Sequence, residues 1–253
     1  MNRLASFSAF RKPVQTMVAE QLAEAKGVEQ VQRNDTLAYH LMGPVHYEAN
    51  YAYPLLIWLH GPNDDERQLR QIMPHVSLRN YVAIAPRGTL VEASGCTYNW
   101  SQADSCVLAA QGWIDDCLAI VREKYNVNPD RIFIGGLSTG GTMALRLALA
   151  EPEKFAGAIS LGGTFPLGCG ALQRYKSLNQ LPFLLMRGTE SAAYPESRFC
   201  EELRLFHAAR LRVHCRQYAC GDEIIVPMLR DLDSWLMEQV TGSPVLSAAD
   251  ATL

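Results

Sequence analysis

The segment Arg131-Ile132-Phe133-Ile134-Gly135-Gly136-Leu137-Ser138-Thr139-Gly140-Gly141 constrains this chain more than any other stretch. An apolar run leads into Gly136-x-Ser138-x-Gly140, and a helical pattern begins at once and continues through Ala150. A strand that turns into a helix over so few residues leaves no room for side chains beside the turn, so glycines flank the serine. Such a turn strains the backbone of Ser138. It presents the hydroxyl at the carboxyl edge of a sheet, beside a helix N-terminus whose unpaired N–H groups carry partial positive charge. The bland alternative is a glycine-rich turn with an incidental serine.

The rest of the pattern supplies the sheet. Leu55-Leu56-Ile57-Trp58-Leu59 is a near-continuous apolar strand ending at His60-Gly61. Asp64 or Asp65 caps a helix expected to run to about Arg79. Tyr81 to Ala85 reads as a strand closed by Pro86-Arg87-Gly88. A helix from about Leu108 to Tyr125 carries Trp113, Cys117, Ile120 and Val121 at helical spacing. Further strands are expected at Arg131 to Gly135, Ala156 to Leu161 and Phe183 to Met186. A helix follows over about Glu196 to Arg210, then a strand over Leu211 to Tyr218 and a closing helix over about Val226 to Val240. Continuous apolar strands separated by helices imply a mostly parallel sheet with both faces covered. The strand at Leu211 differs: it alternates Leu211, Val213 and Cys215 with Arg212, His214 and Arg216, as an edge strand would. The fold class is a single doubly wound α/β domain.

Length and composition fit that domain. The chain has 253 residues, 48% apolar and 19% charged, enough for one large core and unlike a disordered chain. A net charge of −3 leaves no positive excess for nucleic acid or an anionic membrane. No run approaches the ~18 apolar residues of a membrane span. Residues 1–32 read as an N-terminal extension. Within it Val14 to Gly27 could form a short helix with Val14, Met17, Val18 and Leu22 on one face, and no continuous apolar stretch marks a secretory signal. Residues 33–240 form the domain and 241–253 a loose tail. The seven cysteines are odd in number and none shows CxxC spacing. They read as reduced thiols of a cytoplasmic protein.

Several segments resemble the phospholipase/carboxylesterase family of α/β hydrolases, which includes the acyl-protein thioesterases. They are the strand ending in His60-Gly61-Pro62-Asn63-Asp64-Asp65, the Pro86-Arg87-Gly88 segment, the pair Tyr98 and Trp100, and the Gly136-x-Ser138-x-Gly140 elbow. The resemblance covers about Tyr53 to Val240. It implies an ester- or thioester-cleaving serine hydrolase with a Ser-Asp-His triad, no metal and no cofactor, with Ser138 as nucleophile.

The resemblance also exposes three departures. The family's acid lies in a His-Gly-x-x-Asp segment, which here reads Arg187-Gly188-Thr189-Glu190-Ser191, so Ser191 holds the acid position. The family's histidine lies in a Gly-His-Glu segment, which here reads Gly221-Asp222-Glu223, so Asp222 holds the base position. None of the six histidines follows His214. Of the two N–H groups that stabilise the oxyanion, Thr139 supplies one. The other falls on Pro62, which has no N–H, unless a shifted loop lets Asn63 donate.

These departures bear on the chemistry. A serine hydroxyl needs a base to take its proton as it attacks, and imidazole suits because its pKa lies near neutrality. Losing the triad histidine costs on the order of 10⁶ in kcat, and losing one oxyanion donor roughly 10²–10³. Replacement bases are scarce. His60 lies beside the elbow but in a loop-shaping position of the family. His214 falls within the edge strand and His207 on helix surface. Glu190 is a possible displaced acid, and Ser138 with Asp222 or Glu190 would need acidic pH. The run Asp64-Asp65-Glu66 reads as a helix N-terminus rather than a metal site. Arg198, Arg204, Arg210, Arg212 and Arg216 read as a solvated face more readily than as a partner surface.

Three functional readings follow. The first is a catalytically impaired homologue binding a small ester-like ligand or a protein partner in the old cleft. The second is an active serine hydrolase with a non-standard base, acting on small carboxylic esters or thioesters. The third is a purely structural interaction module.

Overall fold

Eight strands form one sheet in the order β1-β2-β4-β3-β7-β8-β9-β10 in the computed structural model, which describes residues 30–33, 37–91, 97–166 and 178–242. The strands are β1 (Gln30–Arg33), β2 (Ala38–Met42), β3 (Tyr53–Leu59), β4 (Val82–Pro86), β7 (Val127–Leu137), β8 (Gly157–Leu161), β9 (Pro182–Gly188) and β10 (Arg212–Tyr218). β5 (Thr89–Leu90) and β6 (Tyr98–Asn99) pair separately as a small antiparallel ladder. From β4 to β10 every neighbouring pair is parallel, and β1 and β2 add an antiparallel end. This is the mostly parallel sheet that the apolar runs and the family resemblance lead one to expect, with β10 at its edge.

The central strands are largely apolar because both faces are covered. All seven residues of β3 and all seven of β9 are buried. One face packs on α2 (Asp104–Lys124), α3 (Thr139–Ala150) and α4 (Glu196–Ala208), through residues such as Ile114, Val121, Leu145 and Phe206. The other packs on α1 (Leu69–Val76) and α5 (Val226–Thr241), through Leu69, Ile72, Leu232 and Trp235.

Several boundaries differ from those expected. The sheet begins at Gln30, inside the stretch read as an extension, because Gln30–Arg33 pairs with Ala38–Leu41 of β2. The helix expected from Asp64 is a 3₁₀ turn, Glu66–Gln68, followed by α1, which ends at Val76 rather than near Arg79. α2 starts at Asp104, a turn earlier than its apolar spacing implies. The helix considered at Val14 to Gly27 lies outside the described residues, as does the tail beyond Gly242.

Parallel strands bring their carboxyl ends to one edge, where α/β folds place their ligands. Four connections meet this chain's chemistry there: residues 60–65 after β3, Ser138 after β7, 189–195 after β9 and 219–225 after β10.

Candidate active site

Ser138 has φ 51° and ψ −115°, a conformation that side chains other than glycine seldom adopt. Its N–H donates to Leu161 O at 2.7 Å, and its carbonyl accepts the Thr142 N–H at 3.0 Å. The turn is close-packed backbone against backbone. A Cβ on Gly136 would lie 2.5 Å from the carbonyl carbon of Gly140, and one on Gly140 would lie 2.3 Å from His60 O. One on Gly163 would lie 2.3 Å from Ser138 O. The sequence reading of strand, strained serine and helix is what the chain forms here. Among the described residues nothing hydrogen-bonds the Ser138 hydroxyl.

The Thr139 N–H opens α3 and has no acceptor among the described residues, which leaves it available as a donor. The Thr139 hydroxyl donates to Asn99 Oδ1 at 2.6 Å, and Gln102 Nε2 donates to Thr139 O at 3.2 Å. Asn99 and Gln102 therefore frame the turn, although nothing in their sequence context singles them out.

The loop after β3 is fully engaged. The Gly61 N–H donates to Gln68 Oε1 at 3.3 Å, and Gln68 Nε2 donates to Asp64 Oδ2 at 2.9 Å. The Asn63 N–H, considered as a substitute oxyanion donor, instead donates to Tyr98 O at 3.0 Å. With Pro62 carrying no N–H, neither residue offers its backbone to the site. The acidic run here serves local structure. Asp65 accepts the Arg67 N–H and caps the 3₁₀ turn. Glu66 is buried and pairs twice with Arg87, at 2.6 Å and 2.5 Å. Burial alone would raise the Glu66 pKa, but the Arg87 hydrogen bond and charge outweigh it and leave the carboxyl below its usual range.

His60 is fully buried between this loop and the one after β4. Its Nε2 lies 2.9 Å from the Gly88 N–H and so must be the unprotonated nitrogen. Nδ1 then carries the proton and donates to Gly61 O at 2.7 Å. Burial lowers the His60 pKa, outweighing the Gly61 bond and the charges of Asp64, Asp65 and Glu66, which raise it. Both nitrogens are occupied, so His60 cannot take a proton from Ser138 without breaking the Gly88 bond. His207 is exposed on α4 and His214 is exposed on β10. His214 pairs with Leu184, four residues short of Gly188 at the carboxyl end of β9. That register sets it about 13 Å back along the strand.

Across the edge, Ser191 and Asp222 meet. The Ser191 hydroxyl donates to Asp222 Oδ1, and Ser191 Oγ accepts the Tyr194 N–H at 2.9 Å. The Ala193 N–H also reaches Asp222 Oδ1, at 3.4 Å. Ser191 is buried, whereas Asp222 is exposed. The backbones are tied as well: Thr189 N–H donates to Tyr218 O at 2.8 Å, and Glu190 N–H to Cys220 O at 2.9 Å. Burial, followed by the charges of Glu223, Glu190 and Asp222, raises the pKa of the nearby Cys220 thiol.

The arrangement combines a strained serine, one backbone donor at a helix N-terminus and a hydroxyl–carboxylate pair on neighbouring loops. It contains no imidazole positioned to serve the serine among the described residues, and no group of three His, Cys, Asp or Glu placed to hold a metal. No helix among them is long and apolar enough to cross a membrane.

Comparison with known proteins gives one consistent result. The family model described as Phospholipase/Carboxylesterase matches residues 44–239. The protein described as "Putative esterase NocK" of Nocardia uniformis subsp. tsuyamanensis is 32% identical over 123 residues, 45% of this chain and 33% of NocK. The carboxylesterase SOBER1 of Arabidopsis thaliana is 25% identical over 118 residues, 46% of this chain and 52% of SOBER1. The chain thus spans about a third to a half of the length of these curated relatives. Among solved structures, acyl-protein thioesterase 2 of Zea mays superposes with a TM-score of 0.65 at 16% identity, covering 80% of this chain and 98% of that one. The carboxylesterase of Mesorhizobium loti gives 0.65 at 18% identity, covering 83% and 98%. At these identities the two structures speak for the fold.

Proposed function

This chain belongs to the phospholipase/carboxylesterase family of α/β hydrolases, and from that membership we propose that it is a catalytically impaired homologue whose cleft binds a small ester-like ligand or a protein partner. The observation that carries the reading is the hydrogen bond from Ser191 to Asp222. The loops after β9 and β10 meet as an acid and a base would, yet one brings a hydroxyl and the other a carboxylate. Compared with the family pattern, the negative charge sits on the outer loop and the direction of proton donation is reversed.

A carboxylate is in general a far weaker base than imidazole, and a serine with no base to take its proton is a poor nucleophile. The engagement of both His60 nitrogens and of the Asn63 N–H supports the same reading. Cofactors and metals have no part in it. We place the protein in the cytoplasm, a reading supported by the free thiols of Cys106, Cys117, Cys200, Cys215 and Cys220.

A fluorophosphonate serine probe tests the proposal directly. Labelling at neutral pH should be slow and should vanish in Ser138→Ala. Fast labelling at Ser138 would instead mean a working hydrolase with a non-standard base. Restoration tests the residue assignments. Combining Asp222→His, Ser191→Asp and Pro62→Leu should raise p-nitrophenyl acetate hydrolysis by at least about 10³-fold, given what each part contributes. No gain in a folded triple variant would refute them.

A further inference from the structure

Behind the Ser191 loop lies a buried polar cluster that the reading above does not use. Glu202 on α4 is fully buried and accepts three hydrogen bonds. Its Oε2 accepts the Phe165 N–H at 3.1 Å and the Tyr194 hydroxyl, and its Oε1 accepts Arg198 Nε at 3.1 Å. Tyr194 is itself 1% exposed, and burial together with Glu202 pushes its phenol pKa upward. Its ring meets Phe199 edge-on at 5.6 Å, and Phe165 meets Phe206 the same way at 4.7 Å. A buried carboxylate is costly unless its lone pairs are occupied, so this site retains its geometry only while all three donors stay in place.

Arg198 lies on the same helix as Glu202, but the other two donors come from different parts of the chain. Phe165 lies in the segment after β8, two residues past Gly163, which packs against the Ser138 carbonyl. Tyr194 lies in the loop after β9, and its N–H holds Ser191 Oγ. A continuous path therefore runs from Asp222 through Ser191, Tyr194 and Glu202 to Phe165, and on to the elbow.

We infer that Tyr194 and Glu202 are positioning residues that tie the loop bearing Ser191 to the segment packed on the elbow, and so fix the spacing between Ser138 and the Ser191–Asp222 pair. This rests on the reading of the site given above. Neither residue touches a ligand in this role. Each acts through the loops it joins.

Two measurements on the full chain decide it. The first is amide hydrogen exchange. Tyr194→Phe keeps the ring and the N–H to Ser191 but removes the bond to Glu202. Exchange at Phe165 and across 189–194 should then rise by about tenfold or more, while β3 and β7 are unchanged. Glu202→Gln, whose amide oxygen can still accept from Phe165 and Tyr194, should keep most of the Phe165 protection. The second measurement places Tyr194→Phe in the Pro62→Leu/Ser191→Asp/Asp222→His background. There kcat should fall about tenfold with KM nearly unchanged, because misplacement affects the reacting geometry more than binding. Unchanged Phe165 exchange in Tyr194→Phe overturns the inference, and so does an unchanged kcat in an active background. If that background hydrolyses nothing, the reading of the site has failed, and the exchange result decides the tie alone.

Discussion

The elbow after β7 and the paired loops after β9 and β10 meet at one sheet edge, but different contacts hold them. The elbow is fixed by backbone packing. Gly136, Gly140 and Gly163 each sit where a Cβ would strike main-chain atoms of a neighbouring segment. The loop side shares such packing, since a Cβ on Gly188 would lie 2.0 Å from Gly221 O, but adds side-chain hydrogen bonds: Ser191 to Asp222, Tyr194 to Glu202 and the Phe165 N–H to Glu202. On the function proposed above, the contrast explains how a chain can keep a nucleophile turn without its usual helpers. The turn is needed to join β7 to α3 whether or not Ser138 reacts. Residues 191 and 222 meet through their side chains, here a hydroxyl and a carboxylate.

The sharpest way to break this contrast is Gly140→Ala. With a Cβ 2.3 Å from His60 O and 2.4 Å from Leu59 O, the turn must open. Loss of about 4 kcal/mol or more is expected in urea denaturation, enough to unfold many domains. A folded variant of near-normal stability would mean the elbow is not held by close packing.

His60→Phe comes next. It strands the Gly88 N–H and the Gly61 carbonyl in the core, at a cost of about 2–3 kcal/mol. It also has a pH signature. The folded-state pKa of His60 lies below its ordinary 6.5, so the unfolded chain binds the proton more readily. Stability from this group is complete above pH 6.5 and is lost as pH falls below it. Glu66, with a carboxyl held below its ordinary 4.5, contributes stability above that value and loses it only at lower pH. Between pH 6.5 and 4.5, the wild type should therefore lose stability more steeply than His60→Phe. Equal slopes would show that His60 is not held neutral.

The smallest effects belong to the groups named for chemistry. Ser191→Ala should cost about 1–2 kcal/mol, because it loses the bond to the exposed Asp222 and leaves the buried Tyr194 N–H without its acceptor. Ser138→Ala should change stability by less than about 0.5 kcal/mol, since no partner is lost. A large loss in Ser138→Ala would turn the comparison around, making the serine a structural part of its own turn.

Much of this was legible in the chain before folding. Apolar runs such as Leu55–Leu59 and Phe183–Met186 mark buried parallel strands because few polar positions survive when both faces are covered. The Gly-x-Ser-x-Gly turn marks itself, since only glycines fit beside it. β1 and β2 were harder to see. They form a short antiparallel end whose pattern, Ala38-Tyr39-His40-Leu41-Met42, mixes a histidine into the apolar run. The paired residues of β5 and β6 are too short to show any period. Glu202 did leave a trace: Phe199, Glu202 and Phe206 share one helix face, so a carboxylate stands on an apolar stripe and calls for a buried partner.

By itself, the sequence determined the class of sheet, the place of the strained serine, and the absence of any histidine after His214, because these depend on local periodicity, turn sterics and simple identity. Only the tertiary structure decided what the remaining groups can offer. It gives the Asn63 N–H to Tyr98, occupies both His60 nitrogens, and brings Tyr194 and Phe165 onto one carboxylate. A hydrogen-bonding group carries the same donors and acceptors in any chain. Which of them stay free is settled by the neighbours that folding brings within about 3 Å.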